Sequence, residues 1–186
     1  MMSAQRTTSN MSYSKPLSEC TEEELRGKVY ILPTDTVYGI SCSVDDVKSY
    51  ERIHALKGTA IDKPLIVLIP NMDSLLQFGV VLTAYHAQLL QKIWPGPYSV
   101  MLPFVSEKYG YISNTGSIVF RVPDTPEVRS FLHTIGPVFS TSANKTGERP
   151  ATTVGEAMSI FGDAIDVYID GGVCNDEPST LIKVLR

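Results

Sequence analysis

The sequence predicts a single domain of the α/β or α+β class, built on a mixed β-sheet with flanking helices. Its 186 residues fit one domain. With 43% hydrophobic and 19% charged residues, the chain can bury a sizeable core. Short apolar runs typical of strands alternate with helical patterns, as in α/β proteins. Close spacings near the C-terminus favour a mixed sheet over a purely parallel one.

Seven apolar runs are predicted as strands, because Val, Ile, Tyr and Phe dominate them and Gly, Pro, Asn or Asp bound them. These runs are Val29–Leu32, Leu65–Ile69, Ser99–Pro103, Ile118–Val122, Val138–Ser140, Val167–Ile169 and Leu181–Leu185.

Four helical patterns lie between these strands. Asp45 to Leu56 carries apolar residues at steps of three and carboxylates at its N-terminal end, as the helix dipole prefers. Thr83 to Trp94 carries them at steps of four and stops at a Pro-Gly-Pro. Thr125-Pro126 predicts a cap followed by proline at the first helical position. Thr153 and Glu156 predict a capping box for the last helix.

Composition limits the function classes. A formal charge of −4 argues against a globally basic nucleic-acid binder. The cysteines Cys20, Cys42 and Cys174 are few and far apart, which is typical of reduced structural thiols and not of a zinc site. No apolar run approaches the ~18 residues that span a bilayer. Residues 1–15 are polar and are predicted as a flexible lead-in to a domain over residues 16–186. A cytoplasmic location without a membrane partner is expected.

The segment PTDTVYG places polar side chains directly after the first predicted strand. Pro33 removes a backbone donor and interrupts strand pairing. Thr34, Asp35 and Thr36 then offer hydroxyls and a carboxylate suited to a zwitterionic amino acid. The alternative is an ordinary β-turn.

Two lysines flank the loop KGTAIDKPL. Lys57 ends a helix, Gly58 permits a left-handed helix termination, and Lys63 precedes a strand. Two ammonium groups around one loop suit polyphosphate oxygens. The alternative is a helix-capping lysine plus a solvated lysine. Because the chain has no GxxxxGK[ST] loop, an ATP site would need a different cradle.

The segment STSAN carries four polar side chains at a strand-to-loop transition, with two cations after it. They are Ser140, Thr141, Ser142, Asn144, Lys145 and Arg149. Small hydroxyls and an amide can bind phosphate and ribose oxygens, although a plain polar turn is equally compatible.

Arg121 stands inside an otherwise apolar strand. An inward arginine needs an anionic partner, which could be Asp35, Asp124 or a substrate carboxylate. The alternative is an outward arginine on an exposed face. Further along, the Gly-rich segment from Gly171 to Thr180 could close over a ligand or form a simple hairpin turn.

The order of these segments resembles the YrdC-like family from about Val29 to Leu185. The segments are PTDTVYG, the KPL loop, Arg121-Val-Pro, STSAN and Pro178-Ser-Thr. Members of that family make threonylcarbamoyl-AMP from L-threonine, bicarbonate and ATP for the modification of tRNA. The resemblance implies an open twisted mixed sheet with a concave basic ligand face. It also implies a nucleotidyltransferase that uses ATP with Mg²⁺ and supplies tRNA-modification machinery.

The resemblance implies three sets of site residues. The catalytic set is Lys57, Lys63 and Arg121. The threonine set is Thr36, Arg121, Ser179 and Thr180. The ATP set is Lys57, Thr59, Lys63, Ser117, Ser140, Ser142, Asn144, Arg149 and Pro150.

Thr59 departs from the pattern, because the family usually has arginine at that position. We expect Lys63 or Arg149 to supply the missing charge, and Arg186 is a candidate for the arginine of the family's C-terminal tail. The alternative function is a non-catalytic or altered-activity relative that binds nucleotide or RNA on the concave face. Its phosphate contacts would include Lys57 and Lys145, although the acidic balance disfavours this interpretation.

Overall fold

A computed structural model describes residues 14–59, 65–113, 115–174 and 177–183. Within these residues, nine strands form one sheet in the order β1-β8-β2-β3-β7-β4-β6-β5-β9. The strands are β1 Ser14–Pro16, β2 Tyr30–Leu32, β3 Gly39–Ser43, β4 Ile66–Leu68, β5 Tyr98–Pro103, β6 Ser117–Arg121, β7 Val138–Ser142, β8 Val167–Asp170 and β9 Thr180–Lys183.

The sheet is mixed, as the sequence predicts. The pairs β1/β8, β2/β8, β4/β6 and β5/β9 are parallel, and β2/β3, β3/β7, β4/β7 and β5/β6 are antiparallel. Strands β8 and β9 lie towards opposite ends of the sheet. The segment between them is therefore not a hairpin turn, and that alternative was wrong.

All seven predicted strands are present within a few residues, but the sequence reasoning missed β1 and β3. Ser14 and Lys15 pair with β8, although they fell within the predicted flexible lead-in. Strand β3 begins at Gly39, where an added Cβ would overlap the Ser140 hydroxyl of the neighbouring strand. The Ser140 side chain occupies the space that a Cβ would need, and local composition does not reveal this contact.

The helices are α1 Glu22–Leu25, α2 Val47–Lys57, α3 Ala84–Ile93, α4 Pro126–Ile135 and α5 Val154–Phe161. Short 3-10 helices cover Leu17–Glu19, Met72–Phe78, Glu107–Ile112 and Gly162–Ala164. None of the helices in the described residues is both long and apolar enough to cross a membrane.

Caps fix the helix ends that matter for the site. The Asp46 carboxylate accepts from Ser49 N at the start of α2, and α2 ends at Gly58 with φ of 61°. Thr153 caps α5, while Glu156 accepts from Thr152 N, one residue earlier than in a standard capping box. Thr125 stands at the N-cap of α4 and proline is first in the helix, as predicted, although the Thr125 side chain makes no capping hydrogen bond.

The two faces of the sheet differ because side chains alternate along each strand. On one face, Val67, Phe120 and Phe139 belong to the main core. The opposite face is covered at one end by residues of α1 and α4, which form a second apolar cluster. Elsewhere on that face, Ser140 lies opposite Ile66, and Arg121 lies opposite Leu68. This polar part of the sheet carries the candidate site.

Candidate active site

A cavity of about 230 Å³ opens on the polar part of the sheet. Its walls come from the PTDTVYG turn, from β4, β6 and β7, and from the segment before β9. The lining includes Thr34, Thr36, Gly39, Arg121, Ser140, Ser142 and Ser179. Arg121 is the one charged side chain among the described lining residues. The cavity thus brings together residues from all five segments singled out in the sequence, with Leu65 representing the KPL loop.

A larger cavity of about 700 Å³ adjoins this one at Thr34. It lies between α4 and the ends of β1, β2 and β8. Glu127 and Asp170 line it, and no lysine or arginine among the described residues does. The smaller cavity is therefore the better candidate for anionic substrates, because it alone of the two holds a cation.

Arg121 points into the site, as predicted, and is 3% exposed. Its Nη1 donates to Thr36 Oγ1 at 2.9 Å, and its Nε donates to Gly96 O at 3.1 Å. Its Nη2 lies 2.7 Å from Asp35 Oδ1. Of the partners left open by the sequence, Asp35 is the observed one. Asp124 instead lies 3.4 Å from Arg129, so the alternative pairing with Asp124 was wrong.

The PTDTVYG turn is held by its own side chains. Thr34 Oγ1 donates to Val37 O at 2.7 Å and accepts from Thr36 N at 3.2 Å. These bonds hold Thr36, which is 2% exposed, against Arg121. The turn is therefore a preformed support for the guanidinium and more than an ordinary surface turn.

Tyr38 is a site residue that the sequence reasoning missed. Its hydroxyl accepts from Gly171 N at 3.0 Å and donates to Gly172 O at 2.7 Å. Burial raises the pKa of Tyr38 to about 12, so the phenol keeps its proton at neutral pH. Tyr38 thereby ties the turn to the segment after β8. The tyrosine next to Gly39 in PTDTVYG was the sequence feature that could have identified it.

Lys57 reaches the STSAN loop from the end of α2. Its Nζ donates to Ser142 O at 2.6 Å and to Asn144 Oδ1 at 3.0 Å. The Asn144 amide in turn donates to Lys145 O and Glu148 O, which fixes the loop. The structure thus brings together three residues of the predicted ATP set, Lys57, Ser142 and Asn144.

The other predicted ATP-binding residues are placed differently. Thr59 lies beyond the end of α2, with Oγ1 3.2 Å from His54 Nδ1. Arg149 is exposed and lies 3.5 Å from Glu156, and it borders a separate depression with Pro150. Ser117 begins β6 on the same face as Arg121 but does not line the cavity. Lys63 and Arg186 lie outside the described residues.

The segment between β8 and β9 runs past the cavity. Near its start, Cys174 N donates to Thr152 O at 2.8 Å and Cys174 Sγ donates to Thr34 O at 3.3 Å. Near its end, Ser179 Oγ lies 2.7 Å from the Oγ of Ser99. Ser179 lines the cavity, whereas Thr180 starts β9 and does not. Ser99, 1% exposed, is a further residue that the sequence reasoning missed.

Known proteins resemble this chain in sequence and in fold. The family model Sua5/YciO/YrdC, described as telomere recombination, matches residues 24–186. The chain belongs to the Sua5/YciO/YrdC family. The family predicted from the sequence motifs is therefore confirmed.

Relatives in this family share most of the chain. A Photobacterium profundum protein named threonylcarbamoyl-AMP synthase is 32% identical over 161 residues, covering 84% of this chain and 87% of the relative. A Vibrio campbellii protein of the same name is 31% identical over 149 residues, covering 78% and 80%. The structure of P. abyssi Sua5 complexed with L-threonine has a TM-score of 0.81 at 27% identity. The match covers 88% of this chain but only 49% of the Sua5 chain.

Proposed function

We propose that this protein catalyses the ATP-dependent formation of threonylcarbamoyl-AMP from L-threonine and bicarbonate, with release of pyrophosphate. The product would serve the modification of tRNA to N6-threonylcarbamoyladenosine through a separate transferase. The observation that carries the proposal is a pair of cation sites that meet at the cavity, because Arg121 and Ser142 both line it and Lys57 donates to Ser142 O. Buried Arg121 with Thr36 forms one, and Lys57 on the Ser142–Asn144 loop forms the other.

Arg121 suits the threonine carboxylate. A guanidinium has five N–H groups, and one donates to Thr36 and one to Gly96. Remaining N–H groups are available for a substrate carboxylate in the cavity. The Thr36 and Ser179 hydroxyls line the same space and could bond the threonine hydroxyl. A site built to bond a hydroxyl discriminates well against analogues that lack it.

Lys57 and the STSAN loop suit the ATP phosphates. Lysine offers an ammonium charge, Ser142 and Asn144 add hydroxyl and amide groups beside it, and Ser140 adds a hydroxyl in the adjoining cavity. The described cavity lining holds no carboxylate. Mg²⁺ would therefore be carried mainly by the phosphate oxygens, as is usual at nucleotide sites. Of the described ATP-set residues, only Ser140 and Ser142 line the cavity. Thr59, Arg149 and Pro150 make none of the contacts between Lys57 and the STSAN loop and would act only at the rim.

The chemistry has two steps. Threonine ammonium and bicarbonate give a carbamate, one water and one proton. A carbamate oxygen then attacks the ATP α-phosphorus, and pyrophosphate leaves. No covalent enzyme intermediate is needed. Arg121 would orient the amino acid and Lys57 would neutralise phosphate charge, so that catalysis is mainly positioning and electrostatic stabilisation.

The product itself is the test. The protein is incubated with ATP, L-threonine and ¹³C-bicarbonate, and the mixture is examined by mass spectrometry. We expect an adenylate of threonylcarbamoyl mass that is heavier by one mass unit than the product from ordinary bicarbonate. An adenylate without the isotope shift, or no adenylate under conditions where ATP and threonine both bind, would contradict the proposed function.

A further inference from the structure

Asp35 pairs with the Arg121 guanidinium but does not itself line the candidate cavity. Arg121 lines the candidate cavity, whereas Asp35 does not. The Asp35 side chain is 12% exposed and the Arg121 side chain 4%. The carboxylate therefore contacts the guanidinium outside the cavity lining, at a largely buried position. Asp35 is thus placed to act on a ligand in the cavity through Arg121, by holding the guanidinium and by balancing its charge.

Three groups of the protein contact the guanidinium. Gly96 O accepts from Nε, Thr36 Oγ1 accepts from Nη1, and Asp35 Oδ1 lies 2.7 Å from Nη2. The last contact is an ion pair without a directed hydrogen bond. Both Arg121 Nη2 and Asp35 Oδ1 are buried and lack a well-aligned hydrogen-bond partner among the described residues. Contacts of this kind often tighten only when the substrate is bound.

The charge of Asp35 also matters for ligand choice. A lone buried cation is costly and attracts any small anion, whereas the Arg121–Asp35 pair is neutral overall. A neutral pair is matched to a zwitterion, which brings one carboxylate and one ammonium. It is poorly matched to inorganic phosphate, which brings only negative charge.

We infer that Asp35 is a positioning residue that aims Arg121 at the cavity and makes the amino-acid subsite prefer a zwitterion over an inorganic anion. This inference rests on the proposed function and adds the basis of substrate choice. Asp35 does not contact the reacting atoms and is not a catalytic residue.

The test compares Asp35→Asn with Asp124→Asn. Both substitutions remove one carboxylate that faces an arginine, but Asp124 is 64% exposed and pairs with Arg129 outside the cavity. Calorimetry measures the Kd of L-threonine, of ATP and of inorganic phosphate as a competitor of threonine. For Asp35→Asn we expect threonine to bind about tenfold more weakly, as for loss of a charge-assisted contact. Phosphate should compete more strongly, and ATP affinity should change less than about twofold. Asp124→Asn should match the wild type.

A double-mutant cycle checks that Asp35 acts through Arg121. Arg121→Lys keeps the charge but loses the forked geometry. If Asp35 works by aiming that fork, Asp35→Asn should weaken threonine binding far less in the Arg121→Lys background than in the wild type. Additive losses would overturn the inference.

Other outcomes are equally decisive. Unchanged threonine affinity and unchanged phosphate competition in folded Asp35→Asn would overturn the inference, as would equal losses for threonine and ATP. If Asp35→Asn does not fold, the same measurements are made on Asp35→Glu. Unaltered threonine affinity in that variant would overturn the inference. A wild-type protein that binds no threonine would contradict the proposed function itself, which is a distinguishable result.

Discussion

Replacing Lys57 by alanine separates ligand binding from stability, because this lysine contacts the STSAN loop but is only half-buried. The substitution removes hydrogen bonds of 2.6 and 3.0 Å to Ser142 O and Asn144 Oδ1. Ser142 Oγ still donates to Asn144 Oδ1, and Thr146 Oγ1 still has the backbone carbonyl of residue 57 as its acceptor. Because water can reach the site, we expect a stability loss of about 1 kcal/mol. That corresponds to a fall in Tm of about 2–4 °C for a domain of this size.

The loss in ATP affinity should be larger. One ammonium–phosphate contact is worth about 1.5–3 kcal/mol, so the Kd for ATP should rise by about ten- to a hundredfold. Calorimetric titration with ATP and thermal melting measure the two effects separately. Lys48→Ala is the matched control, because Lys48 is an exposed lysine on the same helix. An unchanged ATP affinity together with an unchanged melting curve would refute the assignment of Lys57.

Three further results are expected. Thr59→Arg should leave the rate of pyrophosphate release within about twofold of the wild type, because Lys63 is expected to supply the positive charge that arginine gives at this position in the family. A rise of about tenfold or more would show that this charge is missing from the wild-type site. Ser179→Ala should raise the KM for threonine several-fold while Thr180→Ala leaves it unchanged, since only Ser179 of the two lines the cavity. Equal effects of the two substitutions in steady-state kinetics would contradict the assignment of Ser179 to the threonine site. Tyr38→Phe should cost about 1–3 kcal/mol in urea unfolding, because it removes two hydrogen bonds. Because the pKa of Tyr38 is raised in the folded protein, its contribution to the free energy of unfolding should be fully present below about pH 10 and lost as pH rises towards about 12. A Tm that does not change over this pH range would contradict this prediction.

Much of the fold could be predicted from local pattern. The buried strands around Phe120 and Phe139 are apolar runs bounded by turn residues, so composition alone marks them. Strand β3 carries serines that alternate with buried apolar residues, and its glycine is explained only by its neighbour β7. The parallel pairing of β1 with β8 joins residues far apart in sequence, which local composition cannot show.

The site was predictable where side-chain type alone sets the chemistry. An arginine inside an apolar strand must find an anion, and the sequence offered Asp35 among its candidates. The direction of the Arg149 side chain was not predictable in the same way, because it depends on an ion pair with Glu156 of helix α5. Ser99 is a small polar residue in a strand, and only the tertiary contact with Ser179 gives it a place beside the site.

The most direct test of the proposed function is the initial rate of pyrophosphate release, measured while threonine and bicarbonate are varied independently at saturating ATP. The proposed function predicts saturable release that requires both and falls to background when either is omitted. Arg121→Lys should raise the threonine requirement without a matching change for ATP. A rate of pyrophosphate release that does not depend on threonine would contradict the proposed function. So would an absence of release combined with tight, steeply salt-dependent RNA binding, which would favour a non-catalytic binding module instead.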